Sequence, residues 1–312
     1  MNRSPATARH AVLAAVTLLA LATTAPAQPG TATKSEPNYT RTEDVVYGRR
    51  DGLALTMDVF APTKPNGMGV ILFVSAEYRS GRNLLALFHP LATTPFLDRG
   101  YTVFAVMHGS QPKYTVPEIV EDAHRAVRFV RHRAARYGID AEKLGAAGGS
   151  AGGHLALMVG CAGQPGDPDA ADPVDRQSSK VAAVACLFPP TDFLALEGSC
   201  TKDVAAPFDF RELDHATGKL VTVTPERRRE IGRVVSPLTH ASKAAAPTLI
   251  IHGDKDQLVP LTQSEAMIAR LKECGVTCEL QVRADRGHFG PWVVVEFPTL
   301  AGWFDAQLLG KK

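Results

Sequence analysis

The feature that most constrains this chain is an alternation: short apolar runs recur between longer stretches patterned as helix. The runs are Val70–Val74, Thr102–Met107, Lys143–Ala147, Val181–Phe188, Thr248–His252 and Cys278–Val282. Helical stretches are predicted at Leu84–Asp98, Pro117–Tyr137, from Ala151 onward, at Thr262–Glu273 and at the end of the chain to about Leu309. Strands that are apolar on both sides must be covered on both faces, and strands joined through helices pair in parallel. In the longest helix, Val120, Ala123, Val127, Val130 and Ala134 share one face, with Glu121, Arg125, Arg128 and Arg131 off it. Pro117 and Gly138 mark its start and stop. Ahead of this alternation, two β-rich runs, Asp44–Tyr47 and Leu53–Phe60, flank Arg49-Arg50-Asp51-Gly52, a hairpin signal. The expected architecture is therefore α/β: a mostly parallel, doubly wound sheet entered through an antiparallel hairpin.

The first residues carry a different pattern. Arg3, Arg9 and His10 precede an uncharged apolar run, Ala11–Ala22, and then Ala25-Pro26-Ala27. Basic, apolar and small-x-small in that order reads as a signal peptide cleaved after Ala27, so export to the periplasm or medium is expected. The apolar run is shorter than the roughly 20 residues of a membrane span. A polar leader over residues 28–43 would follow, and one domain over 44–312. The whole chain has 34 basic and 32 acidic residues; residues 1–27 hold Arg3 and Arg9 and no acid, which leaves the mature chain formally neutral. Neither that balance nor any basic block interleaved with aromatics suggests nucleic acid. Five cysteines are too few for a disulfide scaffold and lack zinc-finger spacing. Cys274 and Cys278, on either side of a turn, are the expected bridge, the others being Cys161, Cys186 and Cys200.

Two segments interrupt the alternation: a Gly/Pro/Asp-rich loop, Gly163–Lys180, and an irregular insertion, 193–246, with one charged helical piece near Pro225–Gly232. Long loops in a compact domain often wall a site or cover it. Asp167, Asp169, Asp172 and Asp175 lack the glycine and closing glutamate of a calcium loop.

Gly148-Gly149-Ser150-Ala151-Gly152 lies between a predicted strand and a predicted helix. A serine on so sharp a turn needs glycines two before and two after it to avoid Cβ clashes, and its hydroxyl then sits above a helix N-terminus that favours a developing anion. A serine hydroxyl is a weak nucleophile without a base. His288, between glycines in the loop after the last strand, is the candidate base. Asp254 and Asp256 compete as the carboxylate that orients it; an acid next to Gly253 tends to bond back into its own turn, which favours Asp256. All three loops fall at carboxyl ends of strands, the edge where ligands gather in such sheets. His108, Ser110 and Asp192 lie on the same edge as possible pocket residues or as loop-bonding ones. His124, on the long helix, reads as a core-edge residue.

Three strings then carry a resemblance: Gly148-Gly149-Ser150-Ala151-Gly152-Gly153-His154-Leu155-Ala156, His252-Gly253-Asp254-Lys255-Asp256-Gln257-Leu258-Val259-Pro260 and Gly287-His288-Phe289-Gly290. They are similar to the α/β-hydrolase superfamily, in its bacterial feruloyl-esterase-like and acetylxylan-esterase-like branch, over roughly Asp44–Leu309. The resemblance implies a serine carboxylesterase that needs no cofactor, an ester of a small or carbohydrate-linked alcohol as substrate, and Asp256 as the acid. The motifs also resemble prolyl-oligopeptidase-type catalytic domains, which carry a large propeller for which the residues before Asp44 leave no room. A non-catalytic binding protein and a peptidase of small peptides are the alternatives. Relatives place a His-Gly-Gly stretch after the third strand to supply an oxyanion-hole NH; here the strand runs into Ser75-Ala76-Glu77-Tyr78-Arg79-Ser80-Gly81. The expected donors are the backbone NH groups of Ala151 and of Ala76 or Glu77, with the Glu77 carboxylate turned away or held by Arg79 or Arg82.

Overall fold

The apolar runs become the parallel core of one sheet: β3 (Gly69–Phe73), β4 (Thr102–Met107), β5 (Leu144–Gly149), β6 (Ala183–Leu187), β9 (Thr248–Gly253) and β10 (Cys278–Arg283). In this computed structural model, residues 38–199, 211–214 and 216–311 are described; the predicted signal peptide, 1–27, and Cys200 lie outside them. With β1 (Tyr39–Arg50) and β2 (Leu53–Pro62) the sheet has, among the described residues, eight strands in the order β1-β2-β4-β3-β5-β6-β9-β10, antiparallel there only between β1, β2 and β4. This is the α/β-hydrolase arrangement expected. Asp51 and Gly52, at φ 47° and 78°, close the hairpin in the mirror-type turn whose twist suits the strands it joins. β1 begins at Tyr39, inside the predicted leader, because an exposed outer strand has no buried face to leave a pattern in the sequence.

Alternate strand residues feed two cores, since successive side chains leave opposite faces of a strand. Ile71, Phe104, Val127 and Leu155 pack on one face; Leu72, Val103, Leu300 and Phe304 on the other. Their helices include α3 (Val116–His132), α5 (Ala151–Cys161), α9 (Leu261–Glu273) and α10 (Phe297–Leu308), counting α1 (Arg82–Phe88), α2 (Thr94–Leu97) and α4 (Ala134–Tyr137) in chain order. At the start of α3, the Glu118 carboxylate accepts from the Thr115 NH at 2.7 Å, which closes a capping box.

Four expectations need correction. The stretch Leu84–Asp98 is two helices, because Pro90 holds His89 extended and cannot donate to the turn before it. The long helix breaks at Arg133 before α4. Arg131 is buried rather than turned to solvent: its guanidinium donates to the carbonyls of Ala141 at 3.1 Å, Lys180 at 2.7 Å and Ser178, fastening α3 to the end of the Gly163–Lys180 loop. In that loop, Asp172 and Asp175 pair with Arg125 at 2.5 and 2.7 Å. Cys274 and Cys278 are free thiols, each directed at a different carbonyl, Ala241 and Ile268, because one closes α9 and the other opens β10.

The insertion is more regular than its sequence suggests. It runs through α6 (Phe193–Ser199), an antiparallel pair β7 (Arg211–Asp214) and β8 (Lys219–Thr222), α7 (Pro225–Val235) and α8 (Pro237–His240). Its first residue is tied to the junction of α7 and α8, where the Phe193 NH donates to Ser236 Oγ at 2.9 Å.

Candidate active site

β5 ends at Gly149 and α5 begins at Ala151, so Ser150 alone makes the turn between them. Its φ of 52° and ψ of −121° are disfavoured for any residue with a Cβ, and such strain persists only where the surroundings enforce it. They do so by close approach. A methyl on Gly148 would fall onto the Gly152 carbonyl group, and one on Gly152 would lie 2.5 Å from Phe73 O. The Ser150 NH donates to Leu187 O at 2.9 Å, binding the elbow to β6.

The structure brings Ser150, His288 and Asp256 together. His288 Nε2 lies 2.9 Å from Ser150 Oγ, and His288 Nδ1 lies 2.7 Å from Asp256 Oδ2. An ionised carboxylate only accepts, so Nδ1 carries the ring proton and Nε2 offers its lone pair to the serine hydroxyl. Asp256 Oδ1 accepts from the NH groups of Leu258 and Val259, both at 2.9 Å. Burial alone pushes this carboxyl up, but hydrogen bonds from His252 and His288 outweigh it and hold Asp256 well below the usual carboxylate range.

Asp254 has another task. Its Oδ1 accepts from the Asp285 NH at 2.7 Å, while its own NH donates to Arg283 O at 3.1 Å and the Lys255 NH to Arg286 O at 2.9 Å. The acid loop and the histidine loop are thereby laced into one unit. The histidine loop is closed again at its base, where Arg283 meets the Glu296 carboxylate with Nε at 2.6 Å and Nη2 at 2.7 Å. Trp292 Nε1 donates to Gly287 O at 3.1 Å, directly before His288.

The oxyanion side corrects one expectation. The Ala76 NH is spent on Arg79 O at 3.0 Å, and the Arg79 NH returns to Ala76 O at 2.8 Å. Glu77 and Tyr78, at φ 50° and 59°, make the tight turn between them. Of the two residues expected to share the role, Glu77 keeps its NH outside that pair of bonds; the Ala151 NH belongs to the first turn of α5, where no acceptor within the helix is available. Arg82 does not hold Glu77: it pairs with Asp44 at 2.7 Å and with Glu43 and Asp58 at 3.2 Å.

The remaining candidates are mostly occupied. Ser110 Oγ accepts from the Ser80 NH at 2.9 Å and donates to Ser80 O at 3.1 Å. Asp192 caps α6, accepting from the Leu194 NH at 2.9 Å. His108 is buried with Nδ1 2.6 Å from Gly109 O, and burial pushes its pKa down to about 4. His124 is also buried, paired through Nδ1 with Ser179 Oγ at 2.9 Å.

Sequence reasoning missed three residues around the base. Phe188, at φ 37°, follows β6 and sets its ring 4.5 Å from that of His288 and 5.6 Å from Trp292. His252 also reaches Asp256 Oδ2, at 3.2 Å. Phe188 closes an apolar run on the catalytic edge and His252 opens the acid motif, so both had a positional signal; Trp292 had only its nearness to His288.

A family model described as BD-FAE matches residues 57–271 of this chain. Among curated proteins, the "Probable carboxylic ester hydrolase LipM" of Mycobacterium tuberculosis is 27% identical over 243 residues, covering 76% of this chain and 53% of that protein. "Esterase LipC" of the same organism is 26% identical over 240 residues, covering 75% and 56%. The chain thus spans about half the length of these relatives. Among solved structures, a truncated carbohydrate esterase from gut microbiota superposes with a TM-score of 0.71 at 23% identity, covering 88% of this chain and 99% of that one. The butyrate-bound Est2 esterase of Thermogutta terrifontis has a TM-score of 0.66 at 26% identity, covering 88% and 94%.

Proposed function

This chain belongs to the BD-FAE family, and on that premise we propose that it is a carboxylic-ester hydrolase working through Ser150, His288 and Asp256. The observation that carries the reading is the unbroken relay from Ser150 Oγ through both nitrogens of His288 to a buried, ionised Asp256, at 2.9 and 2.7 Å. His288 Nε2 takes the proton from Ser150 as its oxygen attacks the ester carbonyl. Asp256 keeps the ring in the tautomer that leaves Nε2 free and stabilises the imidazolium that forms. The tetrahedral oxyanion rests on the NH groups of Ala151 and Glu77, donors held by the backbone and aimed before the charge develops. The imidazolium then protonates the leaving alcohol, and water repeats the sequence to release the acid.

For the substrate, we read a short acyl or feruloyl ester of a small or carbohydrate alcohol. The esterase names of the relatives support an ester substrate, the butyrate in Est2 supports a small acyl group, and the rings of Phe188, Trp292 and Phe289 near His288 support an apolar or planar substituent. The pattern of residues 1–27 supports an exported protein, which N-terminal sequencing of the mature chain would check. The reaction is tested with a fluorophosphonate probe and acyl nitrophenyl esters. The wild type should label and turn over, and Ser150→Ala should do neither while keeping its circular-dichroism spectrum. A wild type that neither labels nor hydrolyses any ester would overturn the enzyme reading in favour of a binding protein.

A further inference from the structure

We propose that His252 is a positioning residue for Asp256: it donates to the same carboxylate oxygen that His288 uses and so limits how strongly Asp256 can hold the imidazolium. The inference rests on the hydrolase reading of the site. His252 lies in β9, at the head of the acid motif, and is fully buried. Its Nε2 lies 2.9 Å from Val259 O and 3.2 Å from Asp256 Oδ2. A carbonyl only accepts, so Nε2 carries a hydrogen, and that hydrogen is shared between the carbonyl and the carboxylate. Nδ1 lies 2.6 Å from Ser264 Oγ on α9. A hydroxyl can donate to a neutral ring or accept from a charged one, so the donor facing Asp256 stays in place in either state of His252.

The carboxylate therefore has donors on both oxygens: two backbone NH groups on Oδ1, and two imidazoles on Oδ2. It cannot rotate without breaking several bonds at once. An acceptor already shared with a second donor gives less of its charge to the first. A base in this relay must take a proton from Ser150 and then give it to the leaving group, and a carboxylate left to His288 alone would favour the protonated ring too strongly. Facing His252 are Asp256, with His288 beyond it, from the two loops, Ser264 from α9, and the uncharged Phe188 ring 6.4 Å away at the end of β6. Asp254 and Lys255, next on its own loop, are exposed.

The experiment follows the ring nitrogens of His288 by long-range proton–nitrogen NMR of the full chain as pH is varied, alongside the acid limb of kcat/KM on 4-nitrophenyl acetate. His252→Leu, which removes the donor, should move both upward by about 0.5 to 1 pH unit, the scale of one ordinary intramolecular hydrogen bond and less than that of an unshared bond to a charged group. His252→Gln, whose amide can donate to the same oxygen, should stay within about 0.3 unit of the wild type. If His252→Leu does not fold, Ser264→Ala decides: it frees the far side of the ring and should shift both readouts the same way by a smaller amount. An unmoved titration in the folded donor-removing variant, or a Gln variant shifted as far as Leu, overturns the proposal. Failure of the hydrolase reading is distinguishable, because a wild type without turnover or probe labelling still yields the NMR titration.

Discussion

Asp254 and Asp256 stand two positions apart on one loop, yet their carboxylates meet different partners. Asp256 accepts from His288, and Asp254 from the Asp285 backbone. An amide in place of Asp256 would offer the imidazole a donor or a neutral acceptor and lose the tautomer that the relay needs, so Asp256→Asn should lower kcat by about 10⁴. Asp254→Asn keeps a carbonyl oxygen for the Asp285 NH and should lower it by less than about tenfold. Steady-state rates on one nitrophenyl ester check both, and the reverse ranking would reassign the acid. The sequence allowed the choice of Asp256 because side-chain chemistry and loop order carry it. It did not allow the assignment of the oxyanion donor, because which backbone NH is spent depends on the Ala76–Arg79 hydrogen bonds, and no residue type announces those.

At the scale of elements, strands buried on both faces were the legible part, and four-residue or exposed ones were not. β3 to β6 are buried on both faces, and their apolar runs match their limits closely. β7 and β8 have four residues each, too few for alternation to register, and β1 is mostly exposed. The turn after β3 was opaque for a related reason: Glu77 and Tyr78 hold positive φ without being glycine, and neither residue type signals that geometry. The proposed oxyanion hole uses only the backbone NH of Glu77 from that turn. Glu77→Gln should therefore retain activity within about tenfold on a neutral short-chain ester, since removing a true donor costs far more. A hundredfold loss in a folded variant would give the carboxylate a role in catalysis or binding and end the backbone-only account.

For the molecule as a whole, His108, His124 and His154 are buried, and burial pushes the pKa of each down to about 4 from an ordinary 6.5. Between those values the unfolded chain binds protons that the folded one refuses, so stability is full above about pH 6.5 and is lost as pH falls toward 4. Each histidine withdraws about 1.4 kcal/mol per pH unit across that window. Urea midpoints should hold steady above pH 6.5 and fall steeply below it, and His124→Gln should make the slope shallower; a flat profile from pH 4 to 7 would contradict the burial of these rings.

The order of strands has a consequence for how activity is lost. β10 is one of the two edge strands of the sheet, paired among the described residues only with β9, half-exposed along its length, and the loop carrying His288 hangs from its end. Ser150, by contrast, sits on β5 in the middle of the sheet. Edge strands open at lower free energy than central ones. Reversible fraying of β10 would carry the base away and leave the nucleophile, both cores and most of the sheet intact. Mild denaturant should therefore extinguish hydrolysis before the circular-dichroism signal changes, and amide exchange in β10 should outpace that in β5 by orders of magnitude. Coincident loss of activity and ellipticity would mean instead that the Arg283–Glu296 closure and the lacing between the two loops make this edge as firm as the centre.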